Sequence, residues 1–286
     1  MCGDAAPFVV RWFDDIDSTQ RYLLEEARRG ASAGLVAVAA YQSAGRGRLG
    51  RRWEAPPGSN LLMSVLLRPA MPVDELHLCT VAVALAAQEA CAFSVGLETE
   101  LKWPNDLMVA ERKLAGVLAE AVAGAPPGPR VTAVVVGLGL NVQWPPPDPA
   151  RRAGPTPGPE ASDPDAADPE AADPEATDPD EIARFATSIW RETGSRVEPE
   201  VLLNSVLSDL GPRLRTLDHE DGRRRLSEEY RQRCATLGRR VRVSTATETV
   251  TGVASGLTDE GHLVVEVDGG PRTIAAGDVV HLRDVD

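Results

Sequence analysis

Gly45-Arg46-Gly47-Arg48-Leu49-Gly50-Arg51-Arg52-Trp53, entered through Gln42-Ser43-Ala44, sets three glycines among four arginines. Glycine lets a backbone adopt positive φ and approach a ligand closely. Arginine offers a rigid fork of donors that matches phosphate and carboxylate oxygens. The combination describes a loop built to wrap a small anion. Its spacing is neither that of a P-loop nor that of a dinucleotide-binding turn, and a basic hairpin turn is the plain structural alternative. Further polar patches stand at Ser18-Thr19-Gln20, at Lys102-Trp103-Pro104-Asn105-Asp106, at Lys113-Leu114-Ala115-Gly116 and at Gly137-Leu138-Gly139-Leu140-Asn141. The chain carries no Ser/His/Asp set. Its four histidines and four cysteines (Cys2, Cys79, Cys91, Cys234) form no cluster with metal-ligand spacing.

These patches need elements to position them. Asp17 or Ser18 caps a helix that ends at Gly30, and its free N-terminal amides suit polar ligand atoms. Leu35 to Ala40 is a buried strand running into the glycine-arginine loop, and Asn60 to Leu67 is the strand that leaves it. Asp74 to Ala92 reads as a core helix, apolar nearly all round. A short strand, Thr99 to Trp103, precedes a hairpin of Leu107 to Ala110, a Glu111-Arg112 turn and Lys113 to Val122. Pro126 to Pro129 is a loop. Val131 to Val136 is another buried strand, ending at the Gly-x-Gly-x-Asn patch. Beyond the acidic stretch, one helix carries Ile182, Phe185, Ala186, Ile189 and Trp190 on a face. A second runs from Pro199 to Leu210, stopped by Gly211-Pro212, and a third covers Gly222 to Leu237. After Gly238 the apolar period switches to two, and short strands broken by glycines describe a small β-barrel. Two domains are expected, 1–236 and 237–286.

The 286 residues carry a net charge of −13, but most of it is local. Between Asp148 and Glu181 lie eleven acids and two arginines, and eleven of the 23 prolines lie between Gln143 and Asp180. That composition describes an extended, disordered acidic insertion over 143–180. The remainder is only mildly acidic and has no basic stripe for DNA. No stretch reads as a signal peptide or membrane span, and scattered thiols point to a reducing cytoplasm.

In order and spacing, the Gly-Arg-Gly-Arg loop, Lys-Trp-Pro-Asn-Asp and Arg-Lys-Leu-Ala-Gly closely resemble the bacterial biotin protein ligases, from about Phe8 to Asn141 and more weakly through the C-terminal region. The resemblance implies an α+β fold: a catalytic domain like that of class II aminoacyl-tRNA synthetases, with a mixed sheet, followed by an SH3-like barrel. It implies that biotin and MgATP give biotinyl-5′-AMP, and that biotin then passes to a lysine of a biotin carboxyl carrier domain of an acyl-CoA or pyruvate carboxylase.

By that similarity Arg46 and Lys113 are catalytic. Ser18, Thr19, Gln42, Arg46, Gly47, Arg48, Lys113 and Gly116 bind biotin; Arg48, Trp53, Lys102, Asn105, Asp106 and Asn141 bind the nucleotide; Asp106 meets Mg²⁺; and Arg283 sits at a nucleotide or carrier contact. The family often has Asn where this chain has Gln20. Seven residues before Phe8 hold no helix-turn-helix, so a ligase without operator binding is expected. Lys113 as a surface turn residue, Trp53 as a core aromatic, a lipoate ligase, and a biotin-binding scaffold without turnover remain open alternatives.

Overall fold

The computed structural model describes residues 8–123, 131–147 and 184–282. The acidic insertion from Asp148 onward, the Pro126 to Pro129 loop, Cys2, Ile182 and Arg283 lie outside them. Seven strands form one mixed sheet: β1 (Val9–Ile16), β2 (Leu35–Gln42), β3 (Leu61–Leu67), β4 (Glu100–Lys102), β5 (Asp106–Val109), β6 (Arg112–Ala123) and β7 (Val131–Leu140). Their order is β1-β2-β3-β7-β6-β5-β4, with β1 parallel to β2 and the other pairs antiparallel. β1 was not anticipated. It is an edge strand whose side chains are exposed or half-buried, so it lacks the apolar run that marks the central strands.

Alternation along the strands divides the sheet's side chains between two layers. Val36, Val38, Leu61, Met63, Val65, Val117, Val134, Val136 and Leu138 pack on α2 (His77–Val95), with α4 (Pro199–Thr216) and α5 (Glu220–Arg233) beyond. Leu35, Ala37, Leu66, Val122, Ala133 and Val135 face α1 (Thr19–Arg28) through Leu23, Leu24 and Ala27. α1 starts where Ser18 Oγ accepts the Arg21 amide and ends before Gly30, whose φ is +88°. α2 is long and apolar enough by composition to cross a membrane, but Val83, Leu85, Ala86 and Ala87 are fully buried in the core. Burial raises the thiols of Cys79 and Cys91 to about 12.

Three helical expectations are corrected. The helix expected across Ala186 and Ile189 is broken there. Thr187 donates its amide to the Lys113 carbonyl at 2.9 Å, Ala186 bridges Lys113, and Ser188 caps a new short helix, α3 (Ile189–Thr193). Thr187 and Ser188 are fully buried, so tertiary pairing overrides the periodic pattern. α4 continues through Pro212 to Thr216, because Leu217 extends the buried face of Leu202, Leu203, Val206 and Leu210 beyond the proline. α5 ends at Arg233 rather than Leu237, since Ala235 donates to the Leu101 carbonyl at 2.8 Å. The hairpin turn also lies one residue earlier than expected, at Ala110-Glu111, with Ala110 at φ +52°.

β8 (Arg240–Ser244), β9 (Thr249–Leu257), β10 (Leu263–Val267), β11 (Gly270–Ile274) and β12 (Asp278–His281) form a separate antiparallel sheet, ordered β11-β10-β9-β8-β12. Its inner residues Val241, Val243, Leu263 and Val265 join the same core cluster as α2. Polar bonds cross the seam as well. Trp103 Nε1 donates to the Gly261 carbonyl at 2.9 Å, and the Trp103 amide donates to Thr236 Oγ1 at 3.0 Å. His281 Nε2 lies 3.1 Å from that same hydroxyl, and Arg239 lies 3.3 Å from His281 Nδ1. Arginine can only donate, so Nδ1 is the acceptor of a neutral imidazole.

Burial, followed by the charges of Lys102 and Arg239, lowers the His281 pKa to about 4. A histidine held neutral contributes stability fully above its unfolded pKa of about 6.5, and loses it as pH falls towards 4. Thermal unfolding is therefore expected at a lower temperature at pH 5 than at pH 7.5. His281→Asn should flatten that dependence between pH 6.5 and 4, as followed by calorimetry.

Candidate active site

The layer shared with α1 is missing side chains at its centre. Cross-strand register aligns Leu62, Gly139, Gly116, Asp106 and Lys102 in one row across β3, β7, β6, β5 and β4, and Ser64, Gly137 and Leu118 in the next. Directly opposed residues point to the same face, so three glycines and one serine leave a hollow in an otherwise filled layer. The hollow is a cavity of about 330 Å³, walled by the N-terminus of α1, the glycine-arginine loop and the β5–β6 hairpin. Nothing larger than glycine fits the floor. A Cβ on Gly139 would stand 2.5 Å from the Trp53 ring, and one on Gly137 would stand 2.8 Å from Gln20 Oε1.

The loop closes as a tight hairpin. Gly47 donates to the Arg51 carbonyl at 2.7 Å, Trp53 donates to that of Gly45 at 3.1 Å, and Arg46 bridges Arg52. The turn at its tip carries Leu49 at φ +56° and Gly50 at φ +78°. This agrees with the hairpin reading of the motif, and it also aims the motif at the cavity. Arg46 pairs with Glu120 at 3.0 Å, and Arg48 donates to Asn105 Oδ1 at 3.0 Å and to the Gly277 carbonyl at 3.4 Å. Arg51 pairs with Asp278 of β12, and Arg52 with Glu54 at 3.3 Å. Each loop guanidinium thus rests on an acceptor that an anion could replace.

Lys113 and Gly116 are three apart, and in a regular strand they would point to opposite faces. Between Leu107↔Ala115 and Met108↔Lys113 the register shifts, leaving Leu114 unpaired. This bulge turns Lys113 onto the cavity side, so a Cβ on Gly116 would lie 3.1 Å from its ammonium. Lys113 Nζ is 2.6 Å from Asp106 Oδ1 and 5.7 Å from the centre of the Trp53 ring. Trp53 lies against Gly139, and its indole N–H is buried without a protein partner.

Of the residues singled out from the sequence, Ser18, Thr19, Gln42, Arg46, Gly47, Arg48, Trp53, Asn105, Asp106, Lys113 and Gly116 all line this cavity. Lys102 and Asn141 do not. Burial lowers the Lys102 pKa, with Asp106 opposing and Lys113 adding to the shift. Asn141 is 4% exposed and accepts from Asn60 Nδ2 at 2.9 Å. Among the described residues no three His, Cys, Asp or Glu side chains gather as a metal site, and Asp106 is engaged by Lys113. Gln20, Arg51 and Arg52, which belong to the sequence patches but were given no ligand role, also line the cavity, as do Ser64 and Asp278, which were not singled out. A signal for Ser64 was present, since it is the one polar residue in Leu61–Leu67.

Two family models match the chain. The Biotin/lipoate A/B protein ligase family covers residues 12–141, and the Biotin protein ligase C terminal domain covers residues 236–282. The biotin–[acetyl-CoA-carboxylase] ligase of Mycobacterium tuberculosis is 35% identical over 272 residues, spanning 93% of this chain and 86% of that protein. Its counterpart from Paracoccus denitrificans is 31% identical, spanning 92% and 96%. The solved structure of the Aquifex aeolicus biotin protein ligase in complex with biotin and ATP aligns with a TM-score of 0.71 at 26% identity, covering 96% of this chain and 99% of that one.

The glycine floor carries a direct test. Gly139→Ala should fold, since a strand accepts alanine, but it should displace Trp53. Near-ultraviolet circular dichroism of the indole should change, and biotin affinity measured by calorimetry should fall by about ten-fold or more, equivalent to about 1.4 kcal/mol.

Proposed function

The chain belongs to the biotin protein ligase family, and from that premise we propose that it activates biotin with ATP and transfers it to a lysine of a carboxylase carrier domain. The observation that carries this reading is the convergence of Arg46, Arg48 and Lys113 on one glycine-floored cavity. A carboxylic acid with a pKa of about 4–5 is already ionised at neutral pH, so no general base is required. The difficulty is to bring a carboxylate against a polyphosphate, and cations supply that. Biotin's carboxylate oxygen attacks the α-phosphorus, the bond to the β-phosphate oxygen breaks, and pyrophosphate leaves. The carrier lysine, as a neutral amine, then attacks the acyl carbon. AMP departs with the electron pair of the acyl–oxygen bond, and the amine proton passes to solvent.

In this reading Arg46 exchanges Glu120 for the carboxylate and phosphate oxygens, and Lys113 turns from Asp106 to the same oxygens. Ser18, Thr19 and Gln42 hydrogen-bond the ureido ring, Gly47 and Gly116 give the ligand close backbone approach, and Arg48, Trp53 and Asn105 take the nucleotide. Magnesium enters as the partner of ATP, because Asp106 alone is a poor resident metal site; when bound, it screens the phosphate charges. Asp106 acts at the nucleotide rather than on biotin, while Lys102 and Asn141, which stand off the cavity, support it only indirectly. The carrier partner is a biotin carboxyl carrier domain. We divide the chain into a catalytic unit and a C-terminal unit at residues 236 and 237. The buried free thiols of Cys79, Cys91 and Cys234 fit a reducing cytoplasm.

ATP–pyrophosphate exchange with purified protein should depend on biotin and show no response to lipoate. Arg46→Ala and Lys113→Ala should each reduce the exchange rate by about 100-fold, the scale for removing one preorganised charge-stabilising donor. Exchange supported by lipoate alone would move the chain to the sister activity. Biotin binding without exchange would favour a scaffold.

A further inference from the structure

The inner end of the cavity holds an uncharged polar chain. Gln20 Nε2 donates to the Val135 carbonyl at 3.0 Å and lies 3.4 Å from that of Leu118. Two carbonyls fix this end of the amide as the nitrogen, so Oε1 faces Ser64 Oγ, 3.1 Å away. An amide oxygen only accepts, and the Ser64 proton is therefore committed to it. Ser64 Oγ then acts as an acceptor towards Thr19 Oγ1, 2.9 Å away. On its other side Thr19 meets Gln42 Oε1, which accepts the Thr19 amide at 2.8 Å and lies 3.1 Å from the hydroxyl. Both protein neighbours of the Thr19 hydroxyl are acceptors. Its single proton goes to one of them, and only lone pairs remain for the cavity.

We propose that Gln20 and Ser64 are positioning residues that hold Thr19 Oγ1 as a hydrogen-bond acceptor, so that the inner end of the cavity selects a ligand bearing an N–H. Gln42 supplies the complementary half: its oxygen is taken by Thr19, which leaves its NH₂ group as a donor. Ser18 adds a second donor, because its oxygen caps α1 by accepting from Arg21 and its proton remains free. An acceptor beside donors matches the N–H and C=O of a cyclic urea. A dithiolane acid has neither group, and it would leave Thr19 and Gln42 desolvated and unpaired. Gln20 performs this role through its length. It reaches under β6 and β7 from the first turn of α1, and Gly137 is the residue that leaves room for it.

This inference rests on the biotin reading, and its test separates the two. Ser64→Ala, Gln20→Leu and the hydroxyl-retaining Ser64→Thr would be assayed for biotin-dependent pyrophosphate exchange. The probes are biotin and its two mono-N-methylated ureido derivatives, with folding checked by circular dichroism. In the wild type at least one N-methyl derivative should bind about 100-fold more weakly than biotin, and Ser64→Ala and Gln20→Leu should raise KM for biotin about ten-fold, more than any fall in kcat. Both should also narrow the preference for biotin over the N-methyl probe, and Ser64→Thr should restore it. Folded variants with unchanged KM, or a loss confined to kcat, would overturn the positioning role. If the variants do not fold, the wild type still decides: equal binding of both N-methyl derivatives and biotin overturns the inference. Absence of biotin-dependent exchange in the wild type overturns the ligase reading itself.

Discussion

The structure depends on a steric constraint: one layer of a buried sheet must be left partly unfilled without collapsing. Interiors are packed to near-crystalline density, and empty apolar space is destabilising. Here the gap is opened by Gly116, Gly137 and Gly139 and edged by Ser64, Gln20 and Thr19, with Trp53 lying over part of the floor. The opposite layer of the same strands is fully apolar and carries the packing on α2. One sheet thus separates its duties by parity: alternate residues support the fold, and those between them form the site. The strands β3, β7 and β6, side by side at the centre and each paired on both edges, carry this division.

Electrostatics follow the same economy. Arg46 rests on Glu120, Lys113 on Asp106, and Arg51 on Asp278. Pairs of this kind, partly exposed, contribute little to stability. They keep long side chains near their working positions and shield like charges from one another. A ligand with two anionic groups then meets cations already gathered, so recognition proceeds by exchange of partners rather than by collecting dispersed charge.

Much of this was legible in the sequence, and the exceptions have physical causes. The glycine-arginine loop, the Lys-Trp-Pro-Asn-Asp turn and Lys113 could be read because each combines residue types with few plain structural uses. Ser64 was passed over, and Gln20 was noted only as a departure from the family's Asn, because their importance lies in register: a lone serine in an apolar strand gains meaning only when Gly137 is known to face it. The grouping of Lys113 with Gly116 contradicts strict alternation and depends on a bulge at Leu114 that propensities do not mark. The broken helix at Ala186 to Ser188 and the helix running through Pro212 show local pattern yielding to tertiary contacts. β1, an edge strand with no apolar run, lacked the signal altogether.

The loop is also tied to β12, far along the chain. Arg48 reaches the carbonyl of Gly277, a separation of 229 residues, and Asp278 itself forms part of the cavity wall. Contacts this distant in sequence form late, since the intervening chain must first be ordered. During synthesis the seven-stranded sheet can emerge and pack well before β12 leaves the ribosome. The chamber acquires its final wall only once β12 has emerged, so a nascent chain with its sheet already packed would still have the site open on one side.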